Sequence, residues 1–293
     1  MKLKIIIVIT ALTIIVTILG ITYLYYKKPD FSIPQYIYKE FSLRKEKFNQ
    51  KDVYILGPKE RKNEKIILYQ HGGSYATNLT NVYWDFFADI IRDTGVTIII
   101  PDYPLTPSFY YKDVFDMMVP LYEETIKKVG ADNLIVMGDS AGGGLSLALC
   151  QDAGKKGLDQ PSRLILISPW LDVSMKNSKI DEAQKNDKLL NKDLLKLAGQ
   201  VYARDGDINY DFISPINGPL DKIKNVTIFS GSYDILNPDT ELFVEKAKNA
   251  GLEIDYRKTE KAVHIWILYH RDQKIYHAQE DYEQLIRLIN KGV

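Results

Sequence analysis

Apolar and polar residues follow one another along this chain in blocks rather than residue by residue. Five short apolar runs recur: KIILYQ (65–70), VTIIIP (96–101), LIVMG (134–138), RLILIS (163–168) and VTIFS (226–230). Continuous apolar runs of this length suit strands covered on both faces, as in parallel sheets. Helical stretches lie between them, NVYWDFFADIIRD (81–93), VFDMMVPLYEETIKKV (114–129) and PDTELFVEKAKNA (238–250). Asn237 is the expected N-cap of the last, with Pro238 at its first helical position. GLEIDYRKTE (251–260) reads as a late strand and AQEDYEQLIRLIN (278–290) as a closing helix. This alternation predicts βαβ units and an α/β fold, with a mostly parallel central sheet flanked by helices.

Two regions break the rhythm. Residues 171–222 are polar and lack a strong strand, but carry NKDLLKLAGQVYA (191–203). There Leu194, Leu195, Ala198, Val201 and Tyr202 fall on one helical face. The segment is expected to be a small helical cap, inserted after a core strand and serving as lid or pocket wall. At the N-terminus, residues 5–26 (IIIVITALTIIVTILGITYLYY) hold no charge. They are long enough to cross roughly 30 Å of hydrocarbon. Lys2 and Lys4 precede them, Tyr23, Tyr25 and Tyr26 sit at the far edge, and Lys27 and Lys28 follow. Interfacial tyrosines and flanking lysines suit a single transmembrane helix. The run is too long for a signal-peptide core and no small-x-small site ends it. The expected organisation is an anchor over 1–28, a linker or cap segment over 29–50 and the α/β domain over 51–293. A short basic tail that stays inside places that domain on the extracytoplasmic side of the membrane.

Of 293 residues, 38 are Lys or Arg and 38 are Asp or Glu, so the formal net charge is zero. A nucleic-acid partner, which calls for a basic excess, is not expected. The one cysteine, Cys150, excludes an intramolecular disulfide framework. In LSLALC it reads as a small buried hydrophobe.

The candidate chemistry centres on Gly138-Asp139-Ser140-Ala141-Gly142. A Gly-x-Ser-x-Gly that ends a strand and opens a helix makes a sharp turn, pushing the serine hydroxyl out above the sheet. A hydroxyl is a poor nucleophile at neutral pH and needs a base, which needs an orienting acid. Only four histidines exist. His71 precedes Ser140, while His270 and His277 sit close to the final helix. VTIFSGSYD delivers Asp234 to one strand end, and IDYRKTEKAVH delivers His264 to the next. The order Ser140, Asp234, His264 is that of a nucleophile elbow and its partners. The rival acid, Asp239, is better explained by a helix N-terminus. HGGSY (71–75) follows the first apolar run, and its backbone would supply oxyanion donors. The candidates are the amides of Gly72, Gly73 and Ser74, together with Ala141. His71, Gly138, Asp139 and Gly142 would then be structural supports.

These residues resemble the hormone-sensitive-lipase-like branch of the α/β-hydrolases, a family of carboxylesterases. The matching stretches are His71-Gly72-Gly73, Asp102-Tyr103-Pro104-Leu105-Thr106-Pro107 and Gly138-Asp139-Ser140-Ala141-Gly142-Gly143. Asp234 with Pro238, and His264 with Trp266, complete the set, and the resemblance covers about residues 50–290. It departs at Ser74, where the family has a further glycine, and in the shortness of 29–50, where the family often builds part of its cap. The resemblance implies hydrolysis of small acyl esters of short to medium chain by a serine triad, with no metal or organic cofactor. No Walker motif or dinucleotide fingerprint is present either. An amidase or peptidase with the same triad is the first alternative. A silent binding member is the second; the family includes one that lacks the histidine, but here His264 is present.

Overall fold

The computed structural model describes residues 33–61 and 63–291. The described residues from Pro34 onward form one compact unit. The expected anchor over 5–26 lies outside the described residues. Among the described residues no helix is long and apolar enough to cross a membrane.

Each expected strand is present. They are β3 (Ile66–Gln70), β4 (Thr97–Pro101), β5 (Leu134–Asp139), β6 (Arg163–Ile167), β7 (Val226–Gly231) and β8 (Ile254–Thr259). Every residue of β5 and of β7 is buried, as continuous apolar runs require. Two further strands precede them, β1 (Phe41–Phe48) and β2 (Lys51–Pro58), after a short helix α1 (Gln35–Glu40). The sheet order is β1-β2-β4-β3-β5-β6-β7-β8. β1–β2 and β2–β4 pair antiparallel, and all other neighbours pair parallel.

The stretch 29–50, expected as linker or cap, thus supplies α1 and the edge strand in its described part. The pattern hid β1 because its middle is charged (Arg44, Lys45, Glu46, Lys47) and exposed. An edge strand with water on one side needs no apolar run, and lysines there discourage pairing with other chains.

Helices α2 (Asn81–Thr94), α3 (Tyr111–Val129), α4 (Ser140–Lys155), α7 (Asn237–Asn249) and α8 (Ala278–Asn290) connect or close the strands. In α4 every residue from Ser140 to Gly154 is buried, including Cys150. A helix buried all round carries few charges and little amphipathic signal. Asn237 is the first residue of α7 rather than its N-cap. Its amide donates instead to Ser230 Oγ (3.0 Å) and Tyr256 Oη (2.8 Å).

The insertion over 171–222 holds α5 (Ile180–Ala183) and α6 (Lys192–Ala203), the latter capped by Asn191 Oδ1 on the Leu194 amide (3.1 Å). The buried face of α6 matches the expected one at Leu195, Ala198 and Tyr202 and departs from it at Leu194 and Val201. Leu195, Gly199, Tyr202 and Ala203 are buried, whereas Leu194 and Val201 are 68% and 39% exposed. Gly199 explains the rotation: it lets α6 press onto the Val173 backbone, where a side chain would collide.

Candidate active site

The chemistry gathers at the carboxyl ends of the parallel strands. β5 ends at Asp139, and Ser140 turns the chain into α4 with a φ of +51°. Left-handed backbone at a non-glycine residue costs about 1–2 kcal/mol and persists only where surroundings enforce it. Here enforcement comes from close packing. A Cβ on Gly142 would strike the carbonyls of Gln70 and His71, so only glycine lets α4 approach β3 this closely. Trp170 then donates its amide to the Ser140 carbonyl (2.8 Å) and fixes the turn from β6.

His264 Nε2 lies 2.9 Å from Ser140 Oγ, and His264 Nδ1 lies 2.8 Å from Asp234 Oδ2. All three side chains are buried. The loops that carry them are tied together. The Tyr233 amide donates to the Ala262 carbonyl (3.0 Å), and the Leu236 amide donates to Asp234 Oδ1 (2.8 Å). Beyond His264, the Ile265 amide donates to Ser168 Oγ (3.1 Å), and Trp266 Nε1 donates to Asp281 Oδ2 in α8 (2.9 Å). Burial alone would lower the His264 pKa. The charge of Asp234, its hydrogen bond, and the charges of Asp139 and Asp187 outweigh it and hold the imidazole above its ordinary value.

The other histidines are placed elsewhere. His71 is buried and stacked on Tyr103 (ring centroids 4.5 Å apart), with Nδ1 2.7 Å from the Gly72 carbonyl. Burial pushes its pKa down to about 4, so it is neutral and braces the loop. His270 Nε2 pairs with Asp89 (2.9 Å) and its ring stacks on Tyr282. His277 pairs with Glu280 (2.7 Å) at the start of α8. Asp239 accepts from Asn177 Nδ2 (2.9 Å) instead of facing a histidine, and burial pushes its pKa up to about 6.

The loop after β3 is left-handed at three successive residues, Gly73 (φ +113°), Ser74 (+54°) and Tyr75 (+59°). Its turn closes on the Gly73 carbonyl, which accepts from the Ala76 and Thr77 amides (2.9 and 3.0 Å). Successive N–H groups in a turn can form a concave donor set. Among the loop and side-chain hydrogen bonds of the described residues, none is donated by the Gly73 or Ser74 amide. Ala141 lies in the first turn of α4, where amides have no intrahelical partner. Gly72 differs: its amide is committed to Asp139 Oδ1 (3.0 Å) and Tyr83 Oη (2.9 Å). It is therefore a tether of the loop and not a free donor, a correction to the expected oxyanion set.

Asp139 is the hub of that tether. Besides the Gly72 amide it accepts from Tyr69 Oη and Tyr83 Oη, each at 2.8 Å. Burial raises its pKa to about 6, against the lowering effect of those hydrogen bonds and of His264. Tyr103 Oη donates to the His71 carbonyl (2.6 Å) and the Thr106 amide to the Tyr75 carbonyl (2.8 Å). The Asp102–Pro107 stretch thus holds the glycine loop from its other side. Tyr69 and Tyr83 were not singled out from the sequence. The signal for Tyr83 was a hydroxyl on the buried face of an aromatic helix, which must find a partner.

A family model described by the alpha/beta hydrolase fold matches residues 67–268. A candidate esterase from Staphylococcus aureus of known structure is 26% identical, with each chain covered over 93% and a TM-score of 0.84. An Acinetobacter venetianus esterase is 29% identical over 198 residues, 66% of this chain and 64% of that protein. An acetyl-hydrolase of Streptomyces hygroscopicus is 24% identical over 72% of this chain and 71% of its own length. The chain belongs to the α/β-hydrolase fold family. Within it, the chain falls in the hormone-sensitive-lipase-like branch that its motifs indicate.

Proposed function

We propose that this protein is a serine carboxylesterase that cleaves short- to medium-chain acyl esters with Ser140, His264 and Asp234. The observation that carries this reading is the continuous hydrogen-bonded line from Ser140 Oγ through His264 to Asp234, at 2.9 and 2.8 Å. His264 takes the hydroxyl proton as Ser140 Oγ attacks the ester carbonyl, and Asp234 holds the imidazole and stabilises its cation. The carbonyl oxygen becomes an oxyanion received by the amides of Gly73, Ser74 and Ala141. Collapse breaks the bond to the alkoxy oxygen, which leaves as alcohol with the proton from His264. Water, deprotonated by His264, then attacks the acyl-serine, and the acid departs as Ser140 regains its proton. No step calls for a metal or an organic cofactor.

Preference for small acyl groups draws support from relatives named esterase and acetyl-hydrolase. The crowding of aromatic rings beside the glycine loop agrees with it: Tyr75 stacks on Tyr202 of the insertion (3.6 Å between centroids) and on Trp170 (5.9 Å). The uncharged apolar run at 5–26 supports a membrane tether, with the α/β domain on the extracytoplasmic side. Hydrolysis of p-nitrophenyl esters from acetate to laurate tests the reading. Activity is expected to be highest at the short end and abolished by Ser140→Ala. Turnover that survives Ser140→Ala would overturn it.

A further inference from the structure

A second buried carboxylate sits beside the acid of the triad and comes from the insertion, not from the sheet. Asp187 lies between α5 and α6 and is buried. Its Oδ2 accepts the amide of Ile235 at 2.9 Å, the residue directly after Asp234. Its Oδ1 accepts the amides of Leu189 and Leu190 at 2.8 and 2.9 Å and closes the local turn. No salt bridge to Asp187 occurs among the described residues. Two of these amides belong to the local turn, but the third belongs to the loop that carries Asp234, so the carboxylate does more than close a turn. A serine or an uncharged asparagine would serve a turn at lower desolvation cost.

We propose that Asp187 is a positioning residue for the Asp234–His264 pair, through which the insertion sets the geometry and the field of the triad. The proposal rests on the triad reading above. Asp234 is held on one side by its own turn, through the Leu236 amide, and on the other by Asp187 through the Ile235 amide. Loss of the second tie lets the acid loop swing relative to His264, whose own loop is pinned separately to Ser168 and Asp281. Asp187 also adds negative charge near the imidazole. The charged groups facing His264 are Asp234 on the β7–α7 turn, Asp139 at the end of β5 and Asp187 from the insertion. Removing one of three lowers the pH at which His264 loses its proton.

Two variants of the full-length protein separate positioning from stability. Asp187→Asn keeps the shape but lacks the charge and presents an N–H where Oδ2 accepted. Asp187→Ser keeps an acceptor for the turn amides but is too short to reach Ile235. Both are expected to lower kcat on p-nitrophenyl acetate about tenfold to a hundredfold, with KM within about twofold. The acidic limb of kcat/KM is expected to move to lower pH in both. Activity is normalised to folded protein, measured by near-UV circular dichroism and active-site titration. If either variant matches the wild type in kcat and in its pH limb per folded molecule, Asp187 is a structural turn-closer and the proposal falls, even if the melting temperature drops. Asp234→Asn and Ser140→Ala run in parallel: activity surviving in those two overturns the triad reading itself, independently of Asp187.

Discussion

Ser140 is held at a φ of +51° with its hydroxyl 2.9 Å from a buried imidazole, and each neighbouring residue has a specific part in keeping it there. Asp234→Asn preserves shape but no longer accepts the His264 Nδ1 proton. It is expected to lower kcat by about 10⁴ while leaving KM within a few-fold, read by steady-state kinetics. Tyr83→Phe removes the hydroxyl that bridges the Gly72 amide and Asp139. The loop that presents the proposed oxyanion donors then loses a tie, and kcat is expected to fall roughly tenfold with the melting temperature little changed. Retention of full kcat in Tyr83→Phe would show that the remaining ties through Tyr69 and Tyr103 suffice. Ser140, Asp234 and His264 were legible as a set because each follows an expected strand, where the chain order of the motif could be read. Tyr69, Tyr83 and Asp187 were not: their contacts with Asp139, Asp139 and the Ile235 amide join residues 70, 56 and 48 positions apart, and no local pattern encodes such a meeting. The Gly72 amide was assigned to the wrong task for the same reason: only the fold shows that Asp139 already occupies it.

Among the elements, α4 and the glycine loop are locked by contact between backbones. Gly142→Ala drives a methyl into the carbonyls of Gln70 and His71 and is expected to cost about 1–3 kcal/mol or more. Denaturant unfolding would register this as a lower midpoint at unchanged m-value; an unchanged midpoint would mean that α4 can slide on β3. The strands β3 to β8 and the long helices were readable because burial on both faces or on one face leaves a pattern. Three features were not, for three different physical reasons. β1 is an exposed charged edge, Asn237 is drawn from the cap position into a polar cluster with Ser230 and Tyr256, and α6 carries apolar residues on two faces. In α6 the pattern admits either face as the inner one. Gly199 against the Val173 backbone decides it, leaving Leu194 and Val201 outward.

For the molecule as a whole, one titration links stability to activity with opposite signs. Because its pKa is raised in the folded state, His264 stabilises the fold fully below the ordinary imidazole pKa. That contribution is lost as pH rises through the raised value. Catalysis needs the neutral imidazole, so kcat/KM is expected to rise over the same window in which the melting temperature falls. His264→Gln should flatten that part of the melting profile. A separate loss is expected at lower pH, since Asp139 is harder to ionise when folded and its contribution declines as pH rises toward about 6. At this scale the proposed tether has its own test: deleting residues 1–28 is expected to release the protein from membranes while leaving hydrolysis of soluble esters intact, as checked by fractionation and assay. The central claim is that Ser140 is the nucleophile, and a fluorophosphonate ester followed by intact-mass and peptide mass spectrometry tests it most directly. The account predicts a single adduct on Ser140, formed faster as pH rises through the His264 titration and absent in Ser140→Ala. A folded wild-type protein left unlabelled, or an adduct that persists in Ser140→Ala, would contradict it.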